Sequence, residues 1–298
     1  MGRLEKNNKN TEALVTFKNV SKSFGATKAL IDCNIEFKKG EIHSLVGENG
    51  AGKSTLGKII LGAYRLDSGQ TNIDGEKIAI NSPGQAVKIG LVGISQELSL
   101  LPSRTVVDNI AMGRESTFGI FVSAKNTKEK VLEVMERFNL YVKPDAIVGS
   151  LSVAEQQKVE ILRALNSNAR LIVFDEPTAR LASNETEQLH SLVKSLANNG
   201  TTIVYISHFL DEVLSISNRV SLLRNGRLIR TNQAKDETKK SLIEGMTGKE
   251  EGDLFPQIKQ VDESSETILK INNLTRKNEF QDISFEIKKG EIVGLAGL

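Results

Sequence analysis

The stretch GEIHSLVGENGAGKST, residues 40–55, decides the fold. Residues 41–46 are a short apolar run of strand type, residues 47–55 a glycine-rich turn, and residues 56–64 continue with helical spacing. Gly47, Gly50, Gly52, Lys53 and Ser54 fit the phosphate-loop pattern G-x-x-x-x-G-K-S/T, with Glu48, Asn49, Ala51 and Thr55 completing the turn. Glycines let backbone N–H groups face inward around a phosphate, where side chains would collide. The helix that follows aims its positive end at the same phosphates. Lys53 supplies a mobile cation for phosphate oxygens, and the Ser54 hydroxyl can ligate Mg2+. The pattern says nucleoside triphosphatase without saying which one.

A second element stands at residues 171–176, LIVFDE. An acidic residue emerging from a buried strand can hold Mg2+, and an adjacent Glu can orient or deprotonate an attacking water. Asp175 is therefore assigned to the metal and Glu176 to water activation. Alone, this would be an ordinary strand end with acidic residues; the phosphate loop before it changes the reading. Between the two motifs lie Gln96, in ISQE, and the run LSVAEQQ from Leu151. His208 follows the strand-like run at 204–207. Each is nearly uninformative by itself, since a lone Gln is usually solvated and LSxxE is often a helix N-cap. Their order is specific: phosphate loop, Gln after a strand, LS-x-x-x-Q, apolar-Asp-Glu, strand-His.

The rest of the chain reads as mixed α/β. Strands are expected at 14–20, 31–37 and 201–207, and helices at 127–139 and across Leu189, Leu192, Val193 and Leu196. Residues 220–230 form a hairpin about Asn225-Gly226. Alternating strands and helices predict a mainly parallel sheet, with hairpins adding an antiparallel part. A repeat search adds a second level of organisation. Residues 35–48, IEFKKGEIHSLVGE, recur as FEIKKGEIVGLAGL at 285–298, with eight identities in fourteen ungapped positions and a constant offset of 250. The expected organisation is a disordered polar tail (1–12), one complete domain (13–248), a linker (249–266) and the first strands of a second copy (267–298).

Composition supplies exclusions. Among 298 residues, 39 Lys and Arg face 37 Asp and Glu, a formal net charge of +2, so a strongly basic nucleic-acid coat is not expected. Cys33 is the only cysteine, which rules out intrachain disulfides and a four-Cys zinc site. Three histidines make a His-rich metal site a poor reading. The N-terminal residues lack the apolar core of a signal peptide, and no segment approaches the ~20 apolar residues of a spanning helix. These features lead to an expectation of a cytoplasmic protein whose membrane role comes through partners.

Over residues 14–246 the sequence resembles the ATP-binding-cassette ATPases. The resemblance implies an α/β phosphate-loop fold with an antiparallel β subdomain, a core sheet and a helical arm at about 97–165. It implies ATP and Mg2+ as ligands. Phe24 falls where the family stacks an aromatic on adenine, and Gln96 falls at the loop that senses Mg2+ and the membrane partner. Leu151, Ser152, Val153, Ala154, Glu155 and Gln156 fall at the signature LSGGQ. Residues 179–182 fall at the D-loop, and His208 at the switch histidine that contacts the γ-phosphate. Catalysis would rest on Lys53, Glu176 and His208, and Mg2+ on Ser54, Gln96 and Asp175. Val153, Ala154 and Glu155 depart from the signature, and Ala182 replaces the usual D-loop Asp; these read as subtype features.

Within the family, GENGAGKST, SQEL, LSVAEQQ and YISHFLDEV are most similar to the tandem-cassette subunits of sugar importers of the ribose, galactose and xylose type. The implied function is to couple ATP binding and hydrolysis to carbohydrate import. The implied partners are membrane permease subunits on the inner face of the membrane, indirectly a sugar-binding protein, and a second cassette or another copy of this chain. The repeat that breaks off at the second glycine loop leads to an expectation that the chain binds MgATP and turns it over poorly alone. A soluble tandem-cassette ATPase of translation, and a fragment that binds ATP without turnover, remain as alternatives. A small GTPase is disfavoured by the lack of an N-K-x-D motif. The sugar is not legible, because these motifs contact phosphates.

Overall fold

Short strands that are buried almost throughout set the architecture. The residues of Ile42–Val46 and Thr202–Ile206, and residues 171–174, are all buried, as expected of a parallel sheet covered on both faces. The computed structural model describes residues 12–94, 99–118, 121–179, 181–248, 264–277 and 279–296. It divides into two units, Met1–Lys249 and Glu250–Leu298. Along the first unit run β1 (Ala13–Phe24), β2 (Thr27–Lys38), β3 (Ile42–Val46), α1 (Lys53–Ile60), β4 (Ser68–Ile73), β5 (Glu76–Lys77), α2 (Pro83–Lys88) and β6 (Leu91–Ile94). Then come α3 (Val106–Ala111), β7 (Thr117–Phe118), β8 (Phe121–Val122), α4 (Ala124–Arg137), α5 (Val153–Asn166), β9 (Leu171–Asp175) and α6 (Ser183–Asn198). The unit closes with β10 (Thr202–Ile206), α7 (Leu210–Ile216), β11 (Arg219–Arg224), β12 (Arg227–Gln233) and α8 (Lys239–Thr247).

Two sheets organise this unit. The core sheet runs β12-β11-β3-β10-β9-β6, parallel except for β12. The second, β2-β1-β4-β5, is antiparallel. One apolar cluster joins them, uniting Phe17, Phe37 and Leu30 with Leu45, Leu56, Val173 and Ile206. Another seats α3, α4, α5 and α6 on the core sheet through Ile110, Val131, Met135, Leu162 and Val193 against Phe174 and Tyr205.

Register fixes where chemistry can gather. Ile206 lies beside both Leu45 and Asp175, and Ile94 beside Phe174. The C-terminal ends of β3, β9, β10 and β6 therefore share one edge, the edge at which open parallel sheets bind ligands. The antiparallel sheet leans on the same edge: Ile31 N–H donates to Gly226 O at 2.8 Å.

Two elements differ from their sequence reading. The helix expected over 56–64 starts at Lys53 and stops at Ile60. Gly62 follows with φ 68°, and a Cβ there would come within 2.5 Å of Ser82 O, so the chain turns before the apolar spacing ends. In the second unit β13 (Thr267–Arg276) pairs with β14 (Phe280–Lys288), Ile271 beside Phe285, as β1 pairs with β2. Residues 291–296, EIVGLA, continue the second copy of the KKGEI run yet form no strand. In the first unit that run is held between β10 and β11, and the described residues of the second unit hold no counterpart to them. Residues 1–11 of the expected tail and 249–263 of the expected linker fall outside the described residues, while Glu12, assigned to the tail, pairs with Lys39 at 2.7 Å.

Candidate active site

Val46 ends its strand at the sheet edge, and the chain wraps tightly into α1. A Cβ at Gly47 would sit 2.3 Å from Leu223 O, and one at Gly52 2.5 Å from Ala29 O, so both positions admit only glycine. Gly50 and Gly52 adopt φ of 83° and 105°. Ala51 is buried, while Glu48, Asn49 and Gly50 are exposed at the turn. The Lys53 ammonium folds back to donate to Gly47 O at 2.7 Å and Glu48 O at 3.1 Å. Burial pushes its pKa down, against the pull of Glu176 and Asp175. Ser54 and Thr55 occupy the first turn of α1, whose N–H groups have no partner within the helix.

Across the edge, Ser54 Oγ donates to Asp175 Oδ1 at 3.3 Å. Burial pushes the Asp175 pKa up, and neighbouring Glu176 pushes the same way; Ser54, Lys58 and Lys53 oppose them. A hydroxyl and a half-buried carboxylate are hard oxygen donors of the kind Mg2+ takes with water and phosphate oxygens. Among the described residues no group of three His, Cys, Asp or Glu side chains stands together as a closed cation cage. The residues present thus fit a cation that is shared with a bound phosphate.

Glu176 sits in a left-handed conformation, φ 51°, uncommon outside glycine and costing of the order of 1 kcal/mol. Its N–H donates to Ile206 O at 2.9 Å. That bond ties the end of β9 to β10 and turns the side chain toward His208, whose Nδ1 is 3.2 Å from Glu176 Oε1. Lys53, Ser54, Asp175, Glu176 and His208 are thereby brought to one edge. Gln96 lies outside the described residues, as does Arg180 of the D-loop segment. Phe24, 43% exposed, meets Tyr64 edge to face at 5.0 Å, with Lys22 Nζ 5.3 Å above its ring. Sequence reading missed Tyr64, which makes the exposed ring part of an aromatic pair.

The signature segment opens α5. Ser152 is the N-cap: Glu155 N–H donates to its Oγ at 3.3 Å, and Glu155 Oε2 accepts from Ser152 N–H at 3.0 Å. This capping box is worth about 1 kcal/mol. It gives Glu155, a departure from the signature, a local task. Leu151 O accepts from the Gln156 amide at 3.0 Å. Val153 and Ala154 add side chains at the first turn, and Val153 is exposed. Ala182 similarly precedes α6, its N–H donating to Glu185 Oε2 at 3.0 Å. Gln157, Thr178 and Glu212 were also missed; Gln and Glu on helices carry no sequence signal that separates them from surface residues.

Known proteins share this arrangement. Residues 30–179 match the family described as ABC transporter. A ribose import ATP-binding protein of Rubrobacter xylanophilus is 40% identical over 287 residues, which is 96% of this chain and 58% of that protein. A galactose/methyl galactoside import ATP-binding protein of Clostridium perfringens is 39% identical over 291 residues, 97% of this chain and 56% of that protein. The chain thus spans little more than half the length of these curated relatives. A crystal structure of the ADP conformation of an ATP-binding cassette of an ABC transporter superposes with a TM-score of 0.71 at 30% identity, covering 80% of this chain and all of that one. A dimeric cassette in a post-hydrolysis state bound to ADP and Pi gives 0.63 at 28% identity, covering 74% and 98%. Family match, overall superposition and the phosphate loop at the sheet edge agree: the chain belongs to the ABC transporter family, as an ATP-binding cassette.

Proposed function

We propose that this chain binds MgATP at the edge formed by β3, β9 and β10 and hydrolyses it to drive carbohydrate import through a membrane permease. The observation that carries the reading is the meeting of Glu176 and His208, 3.2 Å apart, opposite the phosphate loop. The loop amides and Lys53 bind the phosphates, and Phe24 stacks on the base. Ser54 and Asp175, with Gln96, would hold Mg2+, which when bound neutralises charge on the phosphoryl group. Glu176 accepts a hydrogen bond from the attacking water and draws off its proton, while His208 orients Glu176 and the terminal phosphate. Ser152 and the signature act on a nucleotide held by a second cassette.

The carbohydrate reading rests on the relatives' names, ribose and galactose import proteins. Among the described residues no helix is long and apolar enough to cross a membrane; in this reading the chain meets the permease at the inner face of the membrane. The test is reconstitution with a permease of the ribose–galactose type in proteoliposomes. ATP-dependent uptake of labelled sugar that is lost with Lys53→Ala supports the reading. MgATP hydrolysis that continues without any sugar uptake points to a soluble ATPase instead.

A further inference from the structure

The loop that leaves β9 at Glu176 is held from three directions. Glu176 N–H donates to Ile206 O on β10 at 2.9 Å. The next residue, Pro177, offers its carbonyl to the Gln157 amide at 2.9 Å. Gln157 is buried, one turn inside the helix that Ser152 caps. Thr178, also buried, donates from Oγ1 to Glu212 Oε2 at 2.8 Å.

Glu212 in turn belongs to the His208 side of the site. Its Oε2 accepts from Tyr205 OH at 3.3 Å and Ser207 Oγ at 3.5 Å. Ser207 Oγ accepts from Phe209 N–H at 3.0 Å, fixing the turn that presents His208. His190 Nε2 lies 3.8 Å from the same carboxylate oxygen and 3.4 Å from the Tyr205 hydroxyl. One carboxylate oxygen therefore gathers donors from the Glu176 loop and from the His208 loop. On the other flank, a buried amide ties the Glu176 loop to the signature helix.

We propose that Gln157 and Glu212 are positioning residues for hydrolysis, holding the 176–178 loop between the signature helix α5 and the His208 turn before α7. Neither reaches the phosphate loop; both act through Glu176 and His208. A shift of α5 is passed by Gln157 to the backbone one residue beyond Glu176. A cassette whose signature engages the neighbouring nucleotide thereby adjusts its own water-activating group. The inference rests on the hydrolytic reading above.

The test compares Gln157→Leu and Glu212→Leu, which keep the volume and lose the hydrogen bonds, with Glu212→Gln, which keeps an acceptor oxygen. Hydrogen exchange of the full chain needs no nucleotide and reads the clamp directly. Exchange at the Glu176 and Ala179 amides should rise about tenfold in both leucine variants, with β9 and β10 unchanged. With MgATP, the KM should stay within about twofold while kcat falls about ten- to hundredfold, and Glu212→Gln should recover most of it. Unchanged exchange at those two amides overturns the clamp, and so does exchange that rises equally through the core. A fall in affinity matching the fall in kcat overturns the positioning role. A parent chain that fails to bind MgATP refutes the hydrolytic reading alone, because the exchange result stands without it.

Discussion

Asp175 and Glu176 are neighbours in sequence with different partners, Ser54 for the one and His208 for the other. Asp175 is a half-buried carboxylate whose pKa burial raises. The folded chain then holds that proton more tightly than the unfolded chain does. Folding stability is therefore lost as pH rises from the ordinary carboxylate range through the folded value. Asp175→Asn should raise the urea midpoint of the nucleotide-free chain at pH 7 while removing the Mg2+ dependence of nucleotide binding. A lower midpoint would contradict the electrostatic account. Glu176 points to His208 across 3.2 Å. Glu176→Gln keeps the size and loses the base, so turnover should fall about 10²- to 10⁴-fold with MgATP binding retained. Equilibrium titration beside single-turnover assays checks both halves. The residue types and spacing of these two positions were legible in the sequence. The left-handed turn at Glu176 was not, since glutamate carries no preference for that conformation.

At the scale of elements, α8 closes the first unit by covering β11 and β12. Glu237, just before α8, accepts from Arg230 on β12 through two bonds of 2.8 and 3.0 Å and from Asn232 at 2.8 Å, and it also bonds Ser241. Arg230 above all holds the Glu237 pKa down, from 4.5 to about 2. A depressed carboxylate stabilises the fold fully above its unfolded value, and that stability is lost as pH falls from 4.5 toward 2. Glu237→Gln should cost on the order of 2–3 kcal/mol at pH 7 and nothing below both values. Urea melts at pH 7 and at the lowest pH where the chain still folds give the slope; equal losses at both would exclude the ion pair as the cause. Sequence reading expected the hairpin at Asn225-Gly226 and a domain that ends at 248. It did not show that Arg230 and Glu237 meet, because a strand and a helix cap share no periodicity.

For the molecule as a whole, the signature at Ser152 and the phosphate loop at Gly47 open separate helices, α5 and α1. A nucleotide bound by one cassette and capped by the signature of another requires two cassettes, and a related cassette is known as a dimer. Turnover per chain should therefore rise with chain concentration, and Glu176→Gln with MgATP should sediment as a dimer. A rate per chain that is constant over about a hundredfold range of concentration contradicts pairing between copies.

The sequence by itself determined the family, the phosphate loop, the Asp-Glu pair and the repeat, because each depends on residue types at short, fixed spacing. The paired runs at 35–48 and 285–298 show where that ends. Both carry KKGEI, yet only in the first does the chain beyond the Lys-Lys-Gly turn form a strand, β3, while residues 291–296 form none, since a parallel strand exists only between partners brought from far along the chain. Only tertiary structure decided which strand ends share an edge, that Glu176 faces His208, and that Gln157 and Glu212 grip the loop between them. Those contacts join residues many positions apart, and register, burial and backbone hydrogen bonding select them after the local pattern has been satisfied.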